Sequence, residues 1–239
     1  IQIIEVVLRA KAVGLPVVVT FHTIFEKPLP EELYILKVLA QESDTIIVHE
    51  EFHKERLKEL FGRTERVYVI PHGVREVQPI PDAKRKLGID EKKKVLLLCG
   101  YFRITKRFDK IIKMFPDIVK EVDNAVLVVA GKSRQVELLD YQKEIFRLID
   151  ESPVSDKIVV LSGQFPQHTF DTIVSAADLV PLPYETGAQS GIMAQCFAFN
   201  KPVVTSNLRA FKVWVNNSGG GLVAETDEEL KSHIIKILK

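Results

Sequence analysis

Cysteine is nearly missing from this sequence: Cys99 and Cys196 are the only two among 239 residues. Two thiols build neither a disulfide framework nor a four-cysteine metal site, and they suit a reducing compartment. No apolar run reaches the roughly 20 residues that a membrane-spanning helix needs. Charge of one sign is missing too. Lys and Arg number 33 against 32 Asp and Glu, so no global field favours nucleic acid or an anionic surface. No internal repeat runs at a solenoid period. What remains, 46% hydrophobic and 27% charged, is ordinary for a globular chain. The N-terminus is apolar from Ile1 to Leu8 but has no basic stretch before it. It reads as part of a helix rather than a signal peptide, and a cytoplasmic location is expected.

Short β-branched runs alternate with longer amphipathic stretches. Strands are expected at Pro16 to Phe21, Thr45 to Val48 and Val67 to Ile70, with helices at Glu31 to Gln41 and Glu51 to Phe61. Pro71 ends the third strand. Residues 76–93 change character: prolines and a basic helical patch suggest a connection between domains. From Val95 the alternation resumes, with strands at Val95 to Cys99, Ala125 to Ala130, Ile158 to Leu161, Leu179 to Leu182, Pro202 to Thr205 and Gly221 to Val223. Helices are expected at Lys106 to Val122, Gln135 to Asp150, Gln167 to Ala177, Gly191 to Phe199 and Thr226 to Leu238. Strands that are apolar throughout, each followed by a helix, predict an α/β fold with parallel sheets covered on both faces. The division expected is 1–75, a connection over 76–93, and 94–239. In open parallel sheets, ligands bind outside the carboxyl ends of the strands, so the loops there carry the chemistry.

The loop from Cys99 to Arg107 follows a strand and opens a helix. Gly100 permits a tight turn. Arg103, Lys106 and Arg107 bring cations to a helix N-terminus, against its dipole, and a bound diphosphate would compensate them. The alternative is a solvated basic turn. The loop from Pro183 to Gly191 also joins strand to helix. Its small residues let backbone N–H groups approach a phosphate. Ser190 can cap the helix, and Gln195, a turn further on, can reach a ribose hydroxyl. Gly131 and Gly163-Gln164-Phe165 line the same edge, where a plain turn glycine is the bland alternative. In the first part of the chain, His22 and His72-Gly73 stand at strand ends facing the expected cleft. His49-Glu50-Glu51-Phe52-His53 matches the zinc-protease pattern H-E-x-x-H. However, His49 directly ends a strand, so the two imidazoles need not align, and no third ligand follows closely.

Taken in order, four pieces resemble the retaining glycosyltransferases of family 4. They are Val69-Ile70-Pro71-His72-Gly73-Val74, Gly100 with Arg103 and Lys106, Ala177 to Tyr184, and Asn200 to Thr205. The resemblance runs from about Gly14 to Lys239. It implies two Rossmann-like parallel-sheet domains (GT-B), with the N-terminal one incomplete. It also implies that Arg103 and Lys106 bind the donor diphosphate and neutralise charge growing on the leaving group. Gly100, Glu185, Gln189, Ser190, Gly191 and Gln195 would complete the donor site, with the nucleobase near Gln164 and Phe165. The resemblance implies no metal and no other cofactor. Its partners would be a nucleoside-diphosphate sugar and a carbohydrate or lipid-linked acceptor. No nucleic acid is expected, and peripheral membrane contact is among the expectations. The family often carries two glutamates seven residues apart. Aligned on Lys201-Pro202, this chain has Gly187 and Gln195 there; Glu185 lies two residues before the first. A subgroup with Gln-Ser-Gly at this loop is the closest in pattern.

The resemblance therefore predicts sugar transfer with retention. A non-catalytic nucleotide-sugar-binding module is the alternative, motivated by the missing carboxylate and the incomplete first domain. Further off stand a GT-B epimerase or phosphorylase and a zinc hydrolase built on His49 and His53.

Overall fold

The computed structural model describes residues 2–24, 28–133, 139–187 and 189–239. The chain divides into two compact units, residues 1–73 with 187–189, and residues 74–186 with 190–239.

The first unit runs α1 (Gln2–Ala12), β1 (Val18–Phe21), α2 (Pro30–Glu42), β2 (Thr45–Val48), α3 (Glu51–Phe61) and β3 (Val67–Val69). The strands are parallel in the order β1-β2-β3. Phe21 pairs with Val48 and Val48 with Val69, so the three strands end level. Val7, Phe21, Leu36, Leu39, Ile46, Val48, Leu57 and Val67 form the core. β1 starts two residues after the expected Pro16, which has no N–H to give a ladder. The Val17 N–H instead donates to the Asp44 carboxylate at 2.7 Å, and Lys11 pairs with that same carboxylate.

The second unit opens with α4 (Ala83–Lys86), inside the segment expected as a connection. That segment is fastened to the unit: Ile80 N–H donates to Ser175 Oγ at 2.9 Å, Lys84 pairs with Asp178, and Arg75 with Asp171. Then follow β4 (Lys94–Cys99), α5 (Phe108–Glu121), β5 (Ala125–Gly131), α6 (Leu139–Asp150), β6 (Ile158–Ser162) and α7 (Gln167–Ala176). The chain ends with β7 (Val180–Leu182), α8 (Gly191–Ala198), β8 (Val203–Ser206), α9 (Arg209–Ser218), β9 (Gly221–Ala224) and α10 (Asp227–Leu238). β4-β5-β6 and β7-β8-β9 are parallel triplets. A parallel bridge between Leu96 and Leu179, with Leu97 N–H donating to Leu179 O at 2.9 Å, sets β4 beside β7. The order is then β6-β5-β4-β7-β8-β9. It reverses between β4 and β7, and such a reversal opens a ligand crevice at the carboxyl ends of those two strands.

Every residue of β5, and all of β4 but Lys94, is buried. That is why these strands read as unbroken apolar runs rather than alternating ones. α5 carries Pro116 in its interior, which costs about 3 kcal/mol. Its face of Phe108, Ile111, Ile112, Phe115, Ile118 and Val119 is buried, and burial at about 1.5–3 kcal/mol per large side chain outweighs that cost.

Two expectations need correction. α5 begins at Phe108, not Lys106, because Ile104–Lys106 form one 3-10 turn and Arg107 then takes a left-handed conformation (φ 52°) that breaks the helical path. α9 was not expected at all. Its Val, Trp and Asn residues favour helix weakly, and it is held by the burial of Ala210, Phe211 and Val215. The first residues of the helix expected from Gln135 lie outside the described residues.

Candidate functional site

In the second unit, β4 delivers Gly100 and β7 delivers Pro183 to the point where the strand order reverses. Gly100 has φ +106°, and its N–H donates to Ala130 O at 2.9 Å. A Cβ placed on Gly100 would stand 2.8 Å from Lys106 Nζ and 3.5 Å from the Ile192 side chain. The β4 loop therefore packs directly on the first turn of α8. Glu185 N–H closes the other side by donating to Thr105 O at 2.9 Å.

Lys106 is the centre of this arrangement. Its Nζ lies 5.5 Å from the Tyr184 ring centroid and 5.9 Å from that of Phe108, which gives it cation–π contact in place of a counter-charge. Among the described residues no carboxylate pairs with Lys106 or Arg103. Burial above all, with the nearby Arg103 charge beside it, holds the Lys106 amine below the ordinary lysine value. The Cys99 thiol is itself pushed up to about 12 by burial, so it is a neutral neighbour at physiological pH. A partly desolvated ammonium with no carboxylate partner among the described residues has the chemistry to take an anion.

Arg107 has a different role from its neighbours. Its guanidinium spans both Asp109 oxygens at 3.1 and 3.2 Å and also pairs with Glu185. Asp109 further accepts from the Tyr141 hydroxyl at 3.0 Å. Of the three cations expected at this turn, Arg107 is thus compensated within the protein. Glu185, expected at the donor, spends its carboxylate on Arg107.

α8 supplies the facing wall. Ser190 caps it, its side chain accepting from Met193 N–H at 3.2 Å. The Gly191 and Ile192 N–H groups come first in the helix, where no intrahelical acceptor exists for them. One turn on, Gln195 holds its Oε1 buried with no hydrogen-bond partner among the described residues. Leaving such an acceptor unmet costs about 1–3 kcal/mol. Along the same sheet edge, Gly163 N–H donates to Gly131 O at 2.9 Å, and Gln164 is exposed with Phe165 half-buried beside it.

Gln189 does not join this set. It groups with the first unit, where its Nε2 donates to the His22 carbonyl at 3.0 Å. The level strand ends of that unit gather three imidazoles: ring centroids lie 4.8 Å apart for His22 and His49, 5.3 Å for His49 and His72, and 5.8 Å for His22 and His72. Gly73 takes part through its carbonyl, which bonds His72 Nδ1 at 2.8 Å. Sequence reasoning had His22 and His72 but weighed His49 only as a zinc ligand. All three follow strand ends, and that shared position was the missed signal. Zinc chemistry is not supported by the geometry. Both ring nitrogens of His49 bond protein atoms, His53 is buried on α3, and no group of three ligating side chains among the described residues could hold a metal ion.

Residues 79–239 match the family model described as Glycosyl transferases group 1, and residues 3–77 match the one described as Glycosyltransferase Family 4. The chain belongs to the group 1 glycosyl transferases. It is 21% identical over 249 residues to the alpha-monoglucosyldiacylglycerol synthase of Streptococcus pneumoniae, covering 96% of this chain and 55% of that protein. The chain thus spans about half the length of this relative. Among solved structures, it is similar to Anabaena HepE in complex with UDP and glucose, with TM-score 0.80 and 17% identity over 98% of this chain and 65% of that one. It is also similar to sucrose-phosphate synthase from Thermosynechococcus elongatus, with TM-score 0.82 and 17% identity over 98% of this chain and 62% of that one. These likenesses give the family member the GT-B fold class. Among its described residues no helix is long and apolar enough to cross a membrane.

Proposed function

We propose that the protein to which this chain belongs transfers a sugar from a nucleoside-diphosphate donor to a carbohydrate or lipid-linked acceptor, retaining the anomeric configuration. The observation that carries this reading is Lys106: a partly buried ammonium with no carboxylate partner among the described residues, seated over Gly100 beside the first turn of α8. A diphosphate supplies the missing negative charge. Lys106 and Arg103 then face it from the β4 loop, and the Gly191 and Ile192 N–H groups and the α8 dipole face it from the other side. The same groups stabilise the charge that develops on the leaving nucleoside diphosphate. In this reading they take the place of a divalent metal, and no other cofactor takes part. Gln195 Oε1 gains a ribose hydroxyl, and the base lies against Gln164 and Phe165. Glu185 acts at one remove, by holding Arg107. HepE was solved with UDP and glucose, and the pneumococcal relative is named for a glucosylated lipid product; both fit a nucleotide-sugar donor here.

A thermal-shift series against UDP-, GDP- and ADP-sugars tests the reading. A cognate donor raises the midpoint in a concentration-dependent way, and the shift is lost in Lys106→Ala. Equal, small responses to every nucleotide sugar and to inorganic pyrophosphate would remove the donor-site reading. Specific binding without turnover in the longer protein would favour the non-catalytic module.

A further inference from the structure

In the first unit two of the three imidazoles, His22 and His49, are hydrogen-bonded to each other and on to the backbone, and the chain of bonds has a direction. His49 Nδ1 lies 2.8 Å from Ile70 O, and His49 Nε2 lies 3.1 Å from His22 Nδ1. A carbonyl oxygen only accepts, so His49 Nδ1 carries a proton and donates it. A neutral imidazole has one N–H, so His49 Nε2 is left with a lone pair. His22 Nδ1 must then supply the proton between the rings. Gln189 Nε2 also stands 3.2 Å from His22 Nδ1, but it donates to the His22 carbonyl at 3.0 Å. One nitrogen cannot both donate to His49 and accept from Gln189, and the Ile70 carbonyl decides between them.

We propose that His49 is a positioning residue that locks His22 in the Nδ1–H tautomer, through the chain His22 Nδ1–H to His49 Nε2 and His49 Nδ1–H to Ile70 O, and so leaves the His22 Nε2 lone pair as a hydrogen-bond acceptor. Unconstrained histidine prefers the opposite tautomer, with the proton on Nε2. His22 is the exposed member of the pair and His49 the buried one, so the ring that can meet a ligand is set by the ring that cannot. His22 Nε2 has no protein partner among the described residues. The group it suits is a neutral donor such as a sugar hydroxyl, not a phosphate oxygen, which would need a proton on that nitrogen. That choice of ligand rests on the glycosyltransferase reading above; the tautomer itself does not.

The test is a long-range 1H–15N correlation spectrum of the 15N-histidine-labelled chain, recorded above the imidazole titration range. Single His→Gln variants assign the six histidines. The expected wild-type result is a protonated, pyrrole-like Nδ1 and a bare, pyridine-like Nε2 at His22. His49→Phe keeps a ring of similar size but no acceptor, and His22 should revert to Nε2–H. His49→Gln restores an acceptor and should return the lone pair to Nε2. Gln189→Ala should leave the tautomer unchanged. Unchanged resonances of His53, buried on α3 of the same unit, report that the first unit of each variant is folded. A bare Nδ1 at His22 in the wild type, or a doubly protonated His49, overturns the proposal; so does a folded His49→Phe variant with an unaltered tautomer. If His49→Phe fails to fold, the wild-type spectrum and the Gln189→Ala variant still decide. A chain that binds no nucleotide sugar but shows this tautomer pattern would sink the donor reading and leave the relay standing.

Discussion

Gly131 ends β5 directly against the β4 loop: a Cβ at Gly131 would stand 1.9 Å from the carbonyl oxygen of Gly100. Its φ of +154° lies in a region that side chains rarely adopt. The obstacle is backbone and cannot swing away. Gly131→Ala should therefore destabilise the second unit by about 1–3 kcal/mol and distort the turn that presents Lys106. Chemical denaturation checks the first effect and nucleotide titration of the folded fraction the second. Wild-type behaviour in both would show that this edge is not tightly packed.

Gly100→Ala tests the same contact from the other side. The atom in the way there is Lys106 Nζ at 2.8 Å, the end of a flexible chain. Moving it relieves the contact but displaces the ammonium, while the φ of +106° strains an alanine backbone by about 1–3 kcal/mol. The expected outcome is lowered stability from that backbone strain together with clearly weakened donor binding in the folded fraction.

Removing the cations themselves should be more direct. Lys106→Ala and Arg103→Ala should each weaken donor binding by about 1.5–3 kcal/mol, the usual size for a charge-assisted hydrogen bond, or roughly ten- to hundred-fold in Kd. Isothermal titration with the cognate nucleotide sugar measures it. If both variants bind as tightly as the wild type, the diphosphate lies elsewhere.

Lys106 also sets a pH dependence. Its amine is held below the ordinary 10.5 by burial, so the folded chain releases that proton at lower pH than the unfolded chain does. The unfolded chain then binds more protons between the two values. This group's contribution to stability rises with pH across that window, while its attraction for a diphosphate falls. Donor affinity should decline on the alkaline side below 10.5, and Lys106→Arg should flatten the decline because guanidinium does not titrate there. An identical alkaline limb in the arginine variant would assign it to another group.

The Arg107–Glu185 pair calls for a double-mutant cycle. The side chains are 28% and 48% exposed, so solvent screens them, and a coupling of about 0.5–1 kcal/mol in stability is expected. Asp109 should retain Arg107 when Glu185→Gln is made. A loss of donor affinity as large as that of Lys106→Ala would instead return Glu185 to the ligand.

The sequence alone determined the elements that bury apolar surface. β4 and β5 were legible because strands covered on both faces must be apolar throughout, and α5 because its buried stripe repeats at helical spacing even across Pro116. It also determined the chemical character of the β4 and β7 loops, since Gly100, Lys106 and Ser190 have few uses at a strand end. Tertiary structure decided which of those groups are free to act. Arg107 and Lys106 look alike in sequence, yet Arg107 is matched by Asp109 and by Glu185, seventy-eight positions away, while Lys106 is left over aromatic rings. Likewise, no local pattern sets His22, His49 and His72 side by side. The parallel register of three strands does so, by ending Phe21, Val48 and Val69 level. Burial is written residue by residue along a chain. Charge compensation and proton placement depend on distances of about 3 Å between distant segments, and only the folded packing fixes those.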